Sequence, residues 1–499
     1  MRPKTTARAR PPAPATKPPH PALAALGRSR WLYVLVSFLL LAPCNWQARV
    51  QAGDLASHIY NSWLAQLIER GHMQGLAIAG QTTNILFDLM LGSLFELLGA
   101  EAAQRISVSL AVLIFIWGAF AFAQAVSGRR PWQILPCIAM LAYGWVYHMG
   151  FFNFYLSLGL CFWALALLWN PSSRRLALAV PILVLAYLAH ALPVAWVAGL
   201  VVYLLVARRL SPKLRVYAIA GSLLGMVILH AAIAGAMVMN WSASQITLTT
   251  GLDQVWVFDA KYYAVLVGLL IVWCSLFLNL IHLSDARHVL SGTAFQFCAI
   301  SAAAVFILPT TVLFPGFHHA LVYIAERMSL GVGICVCALL ASARPRRFER
   351  GALMVIALVF FGFLYRDERL LNAFEDRMRD AIATLPAGQR VISAIDDPEL
   401  RANALTHIVD RVCVGHCYSY ANYEPSTAQF RIRAIAENPY VAYTYQDSWL
   451  LQVGAYVVKD RDLPLYQIDL DSSGRMVVKS LRAGVPGGST AWKVFPDLF

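Results

Sequence analysis

Apolar runs long enough to cross a lipid bilayer recur through residues 31–365, each closed by a short polar connector. A hydrocarbon core about 30 Å thick takes roughly 20 helical residues to cross, and within it every backbone N–H and C=O must be satisfied inside the segment. A chain patterned this way is expected to fold as a bundle of membrane-crossing α-helices. Composition agrees, with 59% of the 499 residues hydrophobic and 13% charged. Mean hydropathy is +0.59, far from an ordinary soluble domain.

A formal charge of +13 would point to nucleic acid in a soluble protein. Here the basic residues abut apolar runs: Arg28 and Arg30, Arg129 and Arg130, Arg174 and Arg175, and the stretches 208–215 and 344–350. Such clusters mark the cytoplasmic loops of a polytopic protein, so no nucleic-acid partner is expected. The same rule decides how to count residues 84–98, "NILFDLMLGSLFELL". Were that run to cross, every later basic loop would face outward, so it is expected to be interfacial or re-entrant. Spans are then expected near 31–46, 104–126, 131–148, 152–169, 176–190, 192–207, 214–238, 261–282, 292–314, 323–342 and 351–365. That makes eleven, with the N-terminus cytoplasmic and the C-terminus outside. Residues 55–70 carry apolar groups every four positions and read as a second interfacial helix lying along the membrane.

Residues 1–30 hold seven prolines, seven Lys or Arg and no acid, a composition expected to give a disordered cytoplasmic arm. The apolar run behind it reads as a retained signal anchor. After residue 365 the composition becomes that of a small globular domain. A helix is expected at 366–385 and strands at 389–395, 439–446, 450–459 and 463–470. The expected fold is thus an α-helical polytopic membrane protein (31–365) with two interfacial helices in its first outer loop. A small C-terminal α/β or α+β extracytoplasmic domain (366–499) follows. Seven of the nine cysteines lie in apolar runs; Cys413 and Cys417 do not. With His407 and His416 they hint at zinc, but the spacing matches no familiar zinc pattern. A disulfide between them is expected on an oxidising face.

Four further places carry candidate chemistry. Asp54, in "GDLASHIYNSW", opens a helix, either as a cap or as a general base, and His58 one turn later either supports it or is surface decoration. His148 and Asn153, in "HMGFFNFY", either line a sugar pocket or belong to an interfacial aromatic belt. Glu326 and Arg327, in "GFHHALVYIAERMS", are an ionisable pair at membrane depth, costly unless paired or functional. Arg327 either neutralises Glu326 or holds a lipid phosphate through its planar donor fork. Lys261 ends an outer loop, 240–263, expected to cover a pocket; it either contacts phosphate or is solvated. No glycine-rich phosphate loop, GxSxG or HExxH occurs, so nucleotide hydrolysis is not expected.

The order of parts resembles the GT-C class of membrane glycosyltransferases, which includes protein O-mannosyltransferases and lipid A aminoarabinose transferases. The match is densest over "GDLASHIYNSWLAQLIERG" and "TTNILFDLMLGSLFELLGAEAAQRISVSLAVLIFIWGAFAFAQAVSGRR". The resemblance implies an inverting transfer from a polyprenyl-phosphate-linked sugar on the outer face of a plasma (inner) membrane. It implies Asp54 as base and a basic group, here Arg327, at the donor phosphate. The expected partners are membrane lipid and the lipid-linked sugar; no definite cofactor is expected, and a divalent metal stays open. Leu55 stands where many relatives have a second acid, and Thr82 and Thr83 where Pro-Pro-Leu is common. Two other classes stay open. A transporter or flippase would need polar groups at mid-membrane, for which His190, His230 and Asn279 are the candidates. A non-catalytic scaffold would act through a partner-binding C-terminal domain.

Overall fold

A computed structural model describes residues 30–488, 490 and 491, so the basic arm lies outside the described residues. The chain divides into two compact units, Met1–Ala42 and Pro43–Phe499. In the first, helix α1 (Arg30–Leu40) has 11 residues and none buried. At 1.5 Å per residue it is shorter than the expected first span.

The second unit continues with α2 (Gly53–Glu69), α3 (Leu86–Leu98), α4 (Ala100–Ser127), α5 (Leu135–Ala142), α6 (Trp145–His148), α7 (Phe152–Leu168), α8 (Ser173–Ala189) and α9 (Ala191–Arg209). Then come α10 (Arg215–Ala236), α11 (Tyr262–Ser284), α12 (Ala286–Leu290), α13 (Thr293–Ile307), α14 (Ile324–Leu340) and α15 (Arg347–Ile382). Several of the helices fall where hydropathy places them. Among the described residues five helices, namely α4, α9, α10, α11 and α15, are long and apolar enough to cross a membrane, and α1, α7 and α13 are shorter apolar helices. The protein is mostly helical, consistent with a multi-pass membrane protein. The run 131–148 is not one helix. A 3-10 turn at Trp132–Ile134 precedes α5, whose first turn takes Pro136, and Gly144, in extended backbone, separates α5 from α6. Proline fits the first turn of a helix, where its missing N–H is not needed.

The 36-residue α15 runs unbroken through Tyr365, where composition places a domain boundary. Beyond it lie α16 (Ile408–Cys413), α17 (Tyr423–Thr427) and α18 (Tyr445–Gln452). The strands are β1 (Leu76–Ile78), β2 (Val238–Asn240), β3 (Thr311–Leu313), β4 (Arg390–Ser393), β5 (Ile395–Asp396), β6 (Tyr418–Ser419), β7 (Ile432–Ala434), β8 (Leu465–Leu470), β9 (Met476–Ser480) and β10 (Thr490–Ala491). Four of them make a sheet ordered β6-β4-β8-β9, parallel except for the β8–β9 pair. Ile392, Tyr420, Leu451, Tyr456 and Leu465 form a core beside it. Two of the expected strands are absent. Residues 439–446 turn into α18 because Thr444 caps it, its side chain accepting from Asp447 N–H. Residues 450–459 begin in that same helix and contribute only an isolated bridge at Val457.

Helix α2 is not half-exposed, as an interfacial amphipathic helix would be. Its apolar Leu55, Ile59 and Leu64 are fully buried, and its polar Ser57, Asn61 and Ser62 are buried too. The polar side is covered by C-terminal sequence: Asn422 donates to Asn61 Oδ1 at 2.8 Å, and Ser57 Oγ donates to Glu424 at 3.4 Å. β1 pairs antiparallel with β7 just beyond. Residues 49–51 are held similarly. Arg49 Nε lies 3.0 Å from Glu375 Oε1 on α15, and Arg411 on α16 donates through Nε to the same oxygen at 3.0 Å. Gln51 donates to the other carboxylate oxygen at 2.8 Å.

Candidate functional site

The start of α2 is wedged into the fold. Asp54 N–H donates to Met149 O at 3.0 Å. A Cβ on Gly53 would strike Asn403 O, and one on Gly150, whose φ is +83°, would strike Asp54 N. Two glycines thus let three chain segments meet at the acidic residue. Gly150→Ala combines left-handed strain of about 1 kcal/mol or more with that clash. It is expected to lower the thermal unfolding midpoint and to displace Asp54, which protease protection of residues 149–158 would report.

Asp54 is not the cap of its helix, since Ala52 takes that position and supplies no side-chain cap. Its carboxylate is 27% exposed, and its one ion-pair partner among the described residues is His407, with Nε2 at 3.8 Å from Oδ1. His407 lies just before α16. Its Nδ1 is 2.9 Å from Asp410 Oδ2, and Asp410 in turn accepts from Ser419 Oγ. The Tyr423 ring packs on the imidazole at 5.5 Å between centroids. Burial opposes the charged imidazole, but Asp410 and then Asp54 and Glu424 outweigh it and raise its pKa.

His58, expected beside Asp54, is turned to a different partner. Its Nδ1 lies 2.6 Å from Asp88 Oδ1 on α3. Burial disfavours its charge, yet the Asp88 carboxylate raises its pKa to about 9. An imidazolium at neutral pH is no base, so His58 works as a fixed positive charge. Asn153 locks this pair, donating to Asp88 Oδ2 at 2.6 Å while accepting from Phe87 N–H at 2.8 Å. It therefore positions the pair and does not line a pocket. Glu424 on α17 is buried in the same cluster, and burial, with Asp88 and Asp54 adding to it, raises its carboxyl to about 7.

Arg327 stands in the first turn of α14 with its guanidinium 3.6 Å over the Phe151 ring. Its Nε is buried without a hydrogen-bond partner. It makes no ion pair among the described residues, and the charges and phenols acting on it belong to Asp54, Tyr423, Tyr323 and Glu326. Glu326 is not neutralised by Arg327; it accepts from Thr310 Oγ1 instead. Tyr323, the residue before α14, has φ +59°. The preceding loop is pinned by Gln429, whose Oε1 accepts from the N–H groups of His318 (2.7 Å) and His319 (2.6 Å).

Two expected site residues lie elsewhere. His148 is fully buried, with one ring nitrogen 3.2 Å from Glu368 and the other 3.1 Å from Gly144 O. Lys261 is buried between Asp259 (2.6 Å) and Asp367 (2.9 Å), neither solvated nor open to a phosphate. The loop 240–263 is no loose cover. Asp253, Gln254, Val255 and Phe258 are buried, and Arg401 clamps Asp253 at 3.1 Å. Cys413 and Cys417 form a disulfide, and no group of three or more His, Cys, Asp or Glu arranged to hold a metal occurs among the described residues. Cavities of about 360 and 290 Å³ lie away from Asp54 and Arg327, the first around Gln104 and Arg411, the second around Arg390 and Tyr420.

Sequence reasoning missed Asp410, Tyr423 and Glu424 as members of the cluster. The His407–Asp410 spacing of three residues was a visible signal, because it puts both side chains on one helical face. The cluster also fixes a pH dependence. Glu424 is raised from 4.5 to about 7 and His58 from 6.5 to about 9, so in both cases the folded chain binds its proton more tightly than the unfolded one. The stability each proton contributes is present at low pH and lost as pH rises, between about 4.5 and 7 for Glu424 and about 6.5 and 9 for His58. Glu424→Gln is expected to flatten the lower window and Asp88→Asn the upper one, in unfolding midpoints measured from pH 5 to 9.

Comparison with known proteins returned no match, whether to a protein family, to a curated protein or to a solved structure.

Proposed function

We propose that the protein transfers a sugar from a lipid-phosphate-linked donor to an acceptor on the outer face of the membrane. Asp54 is the general base and Arg327 the group that receives the donor phosphate. The observation carrying this reading is the placement of a part-buried guanidinium, with no ion pair among the described residues, and a part-exposed carboxylate in one electrostatic neighbourhood. They come from segments 273 residues apart (327 − 54). An unpaired buried charge is costly, and an anionic phosphate on Arg327 would relieve that cost. In the reaction the acceptor hydroxyl attacks the anomeric carbon, its proton passes to Asp54, and the sugar–phosphate bond breaks with the lipid phosphate leaving on Arg327. Because the donor is activated already, positioning and fixed charge carry the rate.

The reading places eleven spans in the bilayer, the N-terminus in the cytoplasm and residues 366–499 outside. Its test is a pair of cell lines making equal amounts of the wild-type chain and of Asp54→Asn, compared for surface glycans and glycolipids by mass spectrometry. A modification that needs the wild-type chain and vanishes with Asp54→Asn is expected; one that persists undiminished removes Asp54 as base.

A further inference from the structure

Resting on that reading, we infer that His407 and Asp410 act with Asp54 as a relay, His407 taking from Asp54 the proton that Asp54 takes from the acceptor. The geometry is a line of three side chains. Asp410 accepts at 2.9 Å from His407 Nδ1, which fixes the neutral ring in the tautomer whose Nε2 carries the lone pair. That lone pair faces Asp54, 3.8 Å from Oδ1, a gap closed by a small rotation of the exposed carboxylate or by one water. Asp410 is itself anchored by Ser419 Oγ, and Tyr423 covers the imidazole face. A carboxylate orienting an imidazole against a third group is the arrangement that general-base catalysis uses elsewhere.

The proton balance closes. The acceptor O–H bond breaks as the new glycosidic bond forms, and the donor's phosphodiester leaves as a phosphomonoester that keeps the bonding electrons. The released proton moves to Asp54 Oδ, then to His407 Nε2, giving an imidazolium between two carboxylates. Release to solvent restores the resting state.

The relay demands a neutral His407 at the start of each turnover. The charged groups facing that ring are Asp54 from α2, Asp410 from its own helix and Glu424 from α17, with Tyr423 stacked on it. The Arg327 and His58 cations act on the same carboxylates. All three carboxylates favour the imidazolium. The rate should therefore rise with pH through a limb at or above the ordinary imidazole value of about 6.5.

The test uses full-length chain in liposomes with a panel of radiolabelled polyprenyl-phosphate hexoses, scoring label released to acceptor or water from pH 4 to 9. Expected is a wild-type acid limb at about pH 6.5 or above, displaced downward in Asp410→Asn. His407→Gln should lower kcat at least about 10-fold with KM unchanged. A limb that Asp410→Asn leaves in place overturns the relay, and that variant carries the test if His407→Gln fails to accumulate. Full activity in Asp54→Asn, or consumption of no donor by the wild-type chain, instead overturns the reading beneath it.

Discussion

Asp54→Asn is expected to lower the transfer rate by about 10²–10⁴-fold, the range a positioned general base supplies, while leaving the folded chain intact. The two effects separate because of where the carboxylate stands. Its backbone is the fixed part, with N–H bonded to Met149 O and flanking glycines in close contact. Its side chain caps nothing, and its one ion-pair partner among the described residues is His407, at 3.8 Å. An isosteric amide therefore disturbs no packing and removes only the proton acceptor. Asp54→Glu keeps an acceptor but sets it about one bond length further out, and a misplacement near 1 Å can cost about 10²-fold. Equal unfolding midpoints with unequal rates across wild type, Asn and Glu would establish the role; loss of folded Asp54→Asn would contradict it.

Glu375→Gln is expected to act on stability instead, by about 3–5 kcal/mol. The Glu375 side chain is fully buried between Arg49 and Arg411, whose side chains are each 6% exposed. Removing its charge leaves Arg411 without a carboxylate partner among the described residues, and Arg49 with only the exposed Asp376. Gln51 loses an acceptor as well. By contrast Asp471→Asn, which breaks an i,i+4 pair with the 81%-exposed Arg475, is expected to change little, since solvent screens surface pairs. Unfolding midpoints in one detergent for both variants make the comparison; equal shifts would show that the buried triad does not fasten residues 49–51 to α15 and α16.

The helices were legible because their signal is local: an apolar run declares itself wherever its partners lie, so α4, α9, α10 and α11 fall within a few residues of expectation. The same holds for the disulfide, whose cysteines are four apart, and for β8, a Tyr/Ile/Leu-rich strand bounded by Pro464. The failures are non-local. Tyr and Val made 439–446 and 450–459 look extended, but the Thr444 cap and the core around Leu451 decided otherwise, as packing overrides strand propensity. At the site, Asp54 could be picked out as an early acid in an otherwise apolar setting. Its neighbour could not. His58 is one helical turn away in sequence yet belongs to Asp88, whereas His407 arrives from the far end of the chain. Lys261 and His148 show the converse error, as polar residues near helix ends whose partners, Asp367 and Glu368, were hidden in a segment read as a simple exit helix.

That long-range meeting bears on how the chain is made. Residue 407 follows residue 54 by 353 positions (407 − 54), which at about 5–20 residues per second is roughly 20–70 s of translation. Throughout that interval α2 has been synthesised but the residues that cover its polar side, Asn422 and Glu424, do not yet exist. Ser57, Asn61 and the acid at its tip must wait uncovered, and a ribosome that stops early leaves a helix with no mate. The constellation at Asp54 is thus a record of how far synthesis has gone: it exists only in chains that have been read past residue 424.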